Sequence, residues 1–254
     1  MTATSLPCSV WWADPALATP DLLRLLDDRE RQRHSRLRVA ADRDRYAVAH
    51  ALARLLCARE AGCSPQQVTF ELYCGRCAAL DEPRGEPHGK PRPVGVAAGL
   101  EISITHSGQR VGVALTQGAP VGLDVEHVRD DRDIEGIAEH ALTRVEREAL
   151  ATHSPAERTR AFFTYWSRKE ALLKATGQGL SGGLNSVTVS GSTEQPAVLA
   201  WDSPTAPPHV WLTDLAAGSD YRAAVAAITP HEVNVTEHDA APLLRDVETS
   251  APRG

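Results

Sequence analysis

Two stretches of this chain, 120 residues apart, carry the same apolar spacing. His50-Ala51-Leu52-Ala53-Arg54 lines up with Glu170-Ala171-Leu172-Leu173-Lys174, and the same offset sets Tyr46 on Trp166. Each lies in a long helical pattern. Residues 46–60 read as an amphipathic helix stopped by Gly62 and Pro65, and a second runs from about 156 to 175, after a break near Ser154-Pro155, and ends at Gly177. One long helix in each half hints at two similar halves packed together. Alanine and leucine recur in any helix, so coincidence stays open.

Strand-like pieces surround both helices. Residues 8–12 open the chain as a strand, and 100–105 and 110–116 alternate as a pair around His106-Ser107-Gly108-Gln109. Further strands are expected at 120–126, 186–190, 197–201, 209–213 and near 222–229. Helical pattern also begins at Asp21–Leu26, and Thr143-Arg144-Val145-Glu146 is a capping box that opens a helix. Residues 81–99, rich in proline and glycine, read as a loop, and 128–140 as an acidic connection. Residues 231–254 show no periodicity and read as a flexible tail.

Composition narrows the class. With 254 residues, 42% hydrophobic and 24% charged, the chain has the make-up of a soluble globular protein, as one large domain or two small ones. No apolar run approaches the roughly 18 residues of a membrane span. The opening MTATSLPCSVWW lacks the basic-then-apolar order of a secretion signal. The five cysteines are irregularly spaced, which fits reduced thiols in the cytoplasm better than a disulfide framework. Of 27 basic residues only three are lysines, Lys90, Lys169 and Lys174, so a lysine here is an exception that asks for a reason.

Two clusters carry chemistry. In the strand Gly122-Leu123-Asp124-Val125-Glu126, residues two apart project from one face, which sets the carboxylates of Asp124 and Glu126 side by side. Such a pair repels itself unless a cation stands between, and hard oxygen ligands suit Mg²⁺. A solvated edge-strand face is the other reading. On the second helix Trp166, Glu170 and Lys174 share a stripe at i, i+4 and i+8, the lip of a pocket or an exposed ion pair.

Together the two clusters bring the chain to a family. G-x-D-x-E at 122–126, followed by W-x-x-K-E-A-x-x-K at 166–174, resembles the Sfp-type 4'-phosphopantetheinyl transferases. Gly89-Lys90-Pro91 matches the family's G-[KR]-P element. Ile104 to Gly108 resembles its N-x-S-H-S segment, with Ser103 in place of the usual Asn and Thr105 in place of the usual Ser. The likeness spans about residues 8–230.

The resemblance implies an α+β fold, a pseudo-two-fold pair of similar α/β subdomains, each with a small mainly antiparallel sheet and a long helix. Residues 1–118 would form the N-terminal subdomain with the nucleotide contacts, 119–230 the C-terminal one with metal and catalytic residues, and 231–254 the tail. It further implies transfer of the 4'-phosphopantetheine arm from coenzyme A to a serine of an apo acyl or peptidyl carrier protein, releasing 3',5'-ADP. Carriers of polyketide or non-ribosomal peptide synthesis are expected, and a fatty-acid carrier is the alternative. Asp124, Glu126 and Glu170 match the Mg²⁺ acids, and Glu170 the base, acting directly or through a metal-bound water. Lys174 matches a phosphate-contacting lysine that steadies the departing group. Arg45 matches an arginine on the 3'-phosphate, with Arg33 and Arg36 as helpers, and Lys90, Thr105, His106 and Asp124 fall at positions that contact coenzyme A. His50 stands where Glu170 does and would be a poor Mg²⁺ ligand. A monomer is implied, with no nucleic-acid or membrane partner.

Two signals fall outside the family reading. The arginine-rich run from Arg29 to Arg45 admits a polyanion-binding module, against which stand the net charge of −6 and the absence of interleaved aromatics. Cys74-Gly75-Arg76-Cys77, with His88 eleven residues on, lacks a second ligand pair and reads as reduced thiols or a small loop-stabilising contact rather than a zinc site.

Overall fold

The computed structural model describes residues 5–78, 88–179 and 183–250. The first half runs β1 (Leu6–Ala13), α1 (Pro20–Leu23), α2 (Asp28–Arg36), α3 (Ala40–Ala61), β2 (Thr69–Tyr73), α4 (Gly75–Ala78), β3 (Lys90–Val94), β4 (Leu100–Ser107) and β5 (Arg110–Gln117). The second half runs β6 (Val121–His127), α5 (Ile134–Ala141), α6 (Arg144–Ala151), α7 (Pro155–Thr176), β7 (Val187–Val189), β8 (Val198–Trp201), β9 (Trp211–Leu215), β10 (Tyr221–Ala227), β11 (Val233–Asp239) and α8 (Ala241–Ser250). The fold mixes helix and sheet. Among the described residues no helix is long and apolar enough to cross a membrane.

Both long helices form where the sequence spacing predicts them. Each has 22 residues and ends on a glycine with positive φ, Gly62 at 66° and Gly177 at 73°, a conformation that lets the chain turn away without a Cβ clash. The helix α3 lays Leu52 and Leu56 against Ile102 and Val113 of β4 and β5, in a core completed by Leu22 and Val68. The helix α7 lays Leu172 and Leu173 against Ala224 and Ala226 of β10. Burial of these stripes, rather than intrinsic propensity, holds the helices in place.

The strands form a sheet in the order β11-β1-β5-β4 and a second in the order β6-β10-β9, besides the ribbons β2-β3 and β7-β8. No backbone ladder joins β4 to β6. Instead the hydroxyls of Ser103, Thr105 and Ser107, all on one face of β4, accept the N–H groups of Leu123, Val125 and His127 at 2.9, 3.1 and 3.1 Å. Side chains here take the place of a carbonyl edge, and they seam the two sheets together.

Several expectations need correction. Residues 90–94, read as part of a loop over 81–99, form β3 paired antiparallel to β2; the 81–87 portion lies outside the described residues. Pro91 and Pro93 are two apart, so their missing donors fall on one edge of the ribbon, where a strand tolerates them. The acidic connection at 128–140 contains α5, capped by the Asp133 carboxylate on the Gly136 N–H at 3.0 Å. The stretch 231–254 is not a loose tail, apart from 251–254, which lie outside the described residues. Residues 233–239 pair in parallel with β1, from Leu6 opposite Val233 to Trp12 opposite Asp239. Leu244 of α8 is buried in the same core as Leu52. The partners of β11 lie more than 200 residues away, so no local pattern announces it.

Candidate active site

Gly122 decides how closely α7 can approach β6. A Cβ at this position would stand 1.9 Å from the Ala171 carbonyl oxygen, a distance no side chain can take. With only hydrogen there, one turn of α7 settles on the strand and carries Glu170 and Lys174 over Asp124. The Lys174 ammonium donates to Asp124 Oδ1 at 2.6 Å, to the Leu123 carbonyl at 3.1 Å and to Thr105 Oγ1 at 3.3 Å. Thr105 thus reaches from the N-terminal sheet into the carboxylate cluster, and also donates to Asp124 Oδ1 at 3.3 Å. Glu126 accepts from Ser107 Oγ at 3.1 Å.

The electrostatics follow from burial. Asp124 is pushed up to about 6, chiefly by loss of water, with Lys174 opposing and Glu126 reinforcing. Glu170 is pushed up to about 7, again first by burial and then by the Asp124 charge. Glu126 moves the same way for the same first cause, against its hydrogen bond from Ser107. Asp124 Oδ2 and Glu170 Oε1 are buried without a hydrogen-bond partner. Buried carboxylate oxygens of this kind fit a hard divalent cation. Among the described residues the three carboxylates are not drawn into one tight set of oxygens, unlike Cys74, Cys77 and His88.

A cavity of about 710 Å³ opens beside the cluster, lined by Glu170, Lys174, Lys90 and Ser103 among others. A second, of about 610 Å³, is lined by Arg29, Arg33, Arg36, His50 and His106. Gly89, Pro91 and Ile104 border both, so the two form one groove with an acidic and a basic end.

The candidate residues from the sequence divide accordingly. Asp124, Glu126, Glu170, Lys174 and Thr105 come together, and His106 lines the basic end. Lys90 lines the acidic end, its ammonium held by the Val121 carbonyl at 2.7 Å and Glu101 at 3.4 Å, and burial lowers its pKa. Arg45 stands apart from the residues lining either cavity, bound to the Gly108 carbonyl at 3.0 Å and to Asp42 at 2.5 Å, whereas Arg33 and Arg36 line the groove. Trp166, on the same stripe as Glu170, packs on Phe162 in the core and does not line the cavity.

Elsewhere in the basic run, Arg29 donates to the Phe70 carbonyl at 2.9 Å and Arg31 to Asp28 at 2.6 Å, so it offers no continuous cationic face. His50 is held by Glu30 at 3.0 Å and stacks on Tyr46. Lys169 serves the fold. It is fully buried, bonded to Glu146 and to the carbonyls of Ala141 and Leu184 at 3.0 and 3.1 Å. Sequence reasoning passed over the structural role of Ser103 and Ser107. Their alternation with Thr105 was the available signal.

Comparison with known proteins points the same way. Residues 120–226 match the family model described as the 4'-phosphopantetheinyl transferase superfamily. A Synechocystis protein that carries the name 4'-phosphopantetheinyl transferase provisionally is 29% identical over 169 residues, 66% of this chain and 63% of that one. The transferase HetI of Nostoc is 29% identical over 185 residues, 73% of each chain. The transferase psf-1 of Bacillus pumilus is 38% identical over 123 residues, 48% of this chain and 51% of that one. The aligned parts thus span between half and three quarters of these relatives. Residues 120–226, which supply Asp124, Glu126, Glu170 and Lys174, are thus the part of the chain that is similar to the 4'-phosphopantetheinyl transferase superfamily.

Proposed function

We propose that this protein transfers the 4'-phosphopantetheine group of coenzyme A to a serine hydroxyl of an apo carrier protein and releases 3',5'-ADP. The observation that carries the reading is the groove itself. Its acidic end is lined by Glu170 and Lys174, with Asp124 buried behind the Lys174 ammonium, and Glu170 and Asp124 each keep an unpartnered buried oxygen. Its basic end holds Arg33, Arg36 and His106, suited to the phosphorylated ribose of the coenzyme. The matched superfamily and the names of the relatives support the same activity.

In this reading the serine oxygen attacks the phosphorus that bears the pantetheine arm, and the bond from that phosphorus to the departing 3',5'-ADP breaks. Asp124, Glu126 and Glu170 would hold Mg²⁺, which would supply charge neutralisation on the pyrophosphate. Glu170 is the residue placed to take the serine proton. Lys174 steadies charge on the leaving phosphate, and Thr105 and Asp124 hold its ammonium in place. Lys90 ties β3 to β6 and so fixes the wall of the groove.

The finer assignments belong to the same proposal. They are the Sfp-type subfamily, pseudo-two-fold halves over 1–118 and 119–230, a cytoplasmic monomer, and carriers of polyketide or non-ribosomal peptide synthesis. The equal lengths and glycine ends of α3 and α7 support the two-half reading. The test is incubation with coenzyme A, Mg²⁺ and apo carriers of the peptide, polyketide and fatty-acid classes, read by intact mass. A gain of one phosphopantetheinyl group is expected, with the secondary-metabolite carriers modified fastest. Glu170→Gln is expected to lose at least about a hundredfold in kcat, in line with removal of a general base. No mass gain on any carrier overturns the proposal.

A further inference from the structure

Cys74, Cys77 and His88 bring their ligand atoms within 4.8 Å of one another, and Cys77 Sγ lies 3.3 Å from His88 Nε2. Among the described residues this is the tightest gathering of metal-ligating side chains, and the transfer chemistry uses none of them. We propose that Cys74, Cys77 and His88 bind one Zn²⁺ ion in the wall of the groove.

The site is built by the backbone rather than by chance contact. The strands β2 and β3 pair up to Tyr73 opposite Lys90, so the chain leaves this ribbon as Cys74 on one side and returns as His88-Gly89 on the other. Gly89 has φ of 112°, and a Cβ on it would stand 2.1 Å from the Tyr73 carbonyl oxygen. Only glycine lets the returning strand come this close, and the approach sets the His88 ring beside the helical turn Gly75–Ala78. Cys74 stands just before that turn and Cys77 on it, three residues apart, and their sulfurs lie within 4.8 Å of each other and of a His88 ring nitrogen. The turn is fixed in turn to α7 by the Gly75 N–H on the Gly177 carbonyl at 3.0 Å.

Two thiolates and one imidazole are a borderline-soft donor set of the kind zinc prefers, with a spacing of C-x₂-C on the first side. In tetrahedral zinc with Zn–S of about 2.3 Å and Zn–N of about 2.0 Å, neighbouring ligand atoms stand about 3.5–3.8 Å apart. The observed separations need only small side-chain rotations to reach this. All three residues line the same cavity as Glu170 and Lys174, so the fourth coordination position faces the groove and is open to water. The carboxylates of the transferase site are hard oxygen donors and the new site is sulfur-rich, so the two select different metals.

The purified full chain, reconstituted with zinc under reductant and desalted, is to be measured by elemental analysis. One zinc per chain is expected, falling at least tenfold in Cys74→Ser/Cys77→Ser and in His88→Gln. Zinc below about a tenth of an equivalent in the wild type, or an equivalent retained in both variants, overturns the proposal. Cobalt substitution of the wild type needs no variant. Thiolate-to-cobalt charge-transfer absorption with tetrahedral ligand-field bands supports the site, and octahedral oxygen ligation without those bands overturns it. Neither readout depends on transferase activity, so failure here is distinguishable from failure of the proposed function.

Discussion

Asp124 and Glu170 are acids that the fold keeps short of water, and this has a measurable cost. Their pKa values rise from 3.8 to about 6 and from 4.5 to about 7. Between the unfolded and folded values the native state binds more protons than the unfolded chain, so stability falls as pH rises through that window. The metal-free protein is therefore expected to lose stability between about pH 4 and about pH 7 from these two groups. Glu170→Gln should flatten the slope, and Mg²⁺ should flatten it in the wild type. Thermal unfolding across the range, with and without Mg²⁺, reads both, and an unchanged slope in the variant refutes the assignment. At this scale the sequence was informative, because two carboxylates on one strand face and a third on a helix are readable from spacing. The Lys174 bond to Asp124 was not, because it requires α7 to lie across β6. Trp166 misled for the related reason that a helical stripe says nothing about which end of it meets the core.

Elements meet here through small residues and hydroxyls. Gly122→Ala sets a methyl against the Ala171 carbonyl and must lift α7 from β6. A cost at or above the roughly 1–3 kcal/mol of overpacking is expected, with loss of transfer activity in the protein that still folds. Urea denaturation beside a carrier-modification assay checks it. Thr105→Val removes the acceptor of the Val125 N–H, and should cost about 1–3 kcal/mol and weaken the hold on Lys174, whereas Thr105→Ser should keep both. Lys169→Met strands the buried Glu146, whose other oxygen accepts the Val189 N–H at 2.8 Å, and should cost about 3–5 kcal/mol with the groove unchanged. The helices α3 and α7 were legible because a long amphipathic stripe is a strong local signal. The strand β3 was hidden by two prolines, and α5 by a glycine and a run of acids. The seam of Ser103, Thr105 and Ser107 escaped because hydroxyls alternating along a strand look like any solvent face until a second sheet stands beside them.

At the scale of the whole molecule, α3 and α7 each pack in a core of their own, whereas the sheets do not follow the order of the chain. The N-terminal sheet takes its edge strand β11 from the far end of the chain, fastened further by Trp12 Nε1 on Glu237 at 2.7 Å and by Trp11 stacked on His238. Deleting residues 231–254 is expected to uncover Val10 and the Leu244 site and to abolish cooperative unfolding, as read by calorimetry. No periodicity in 231–254 foretold this, because a parallel edge strand is specified by its neighbour rather than by itself. The same closure has a consequence in time. During synthesis, β1, β4 and β5 emerge long before β11, and at roughly 5–20 residues per second the wait is on the order of ten seconds. Throughout that interval the free edge of β1 stays open to any other strand, including the β1 of a second nascent chain. The strand that seals β1 is made more than 200 residues after it.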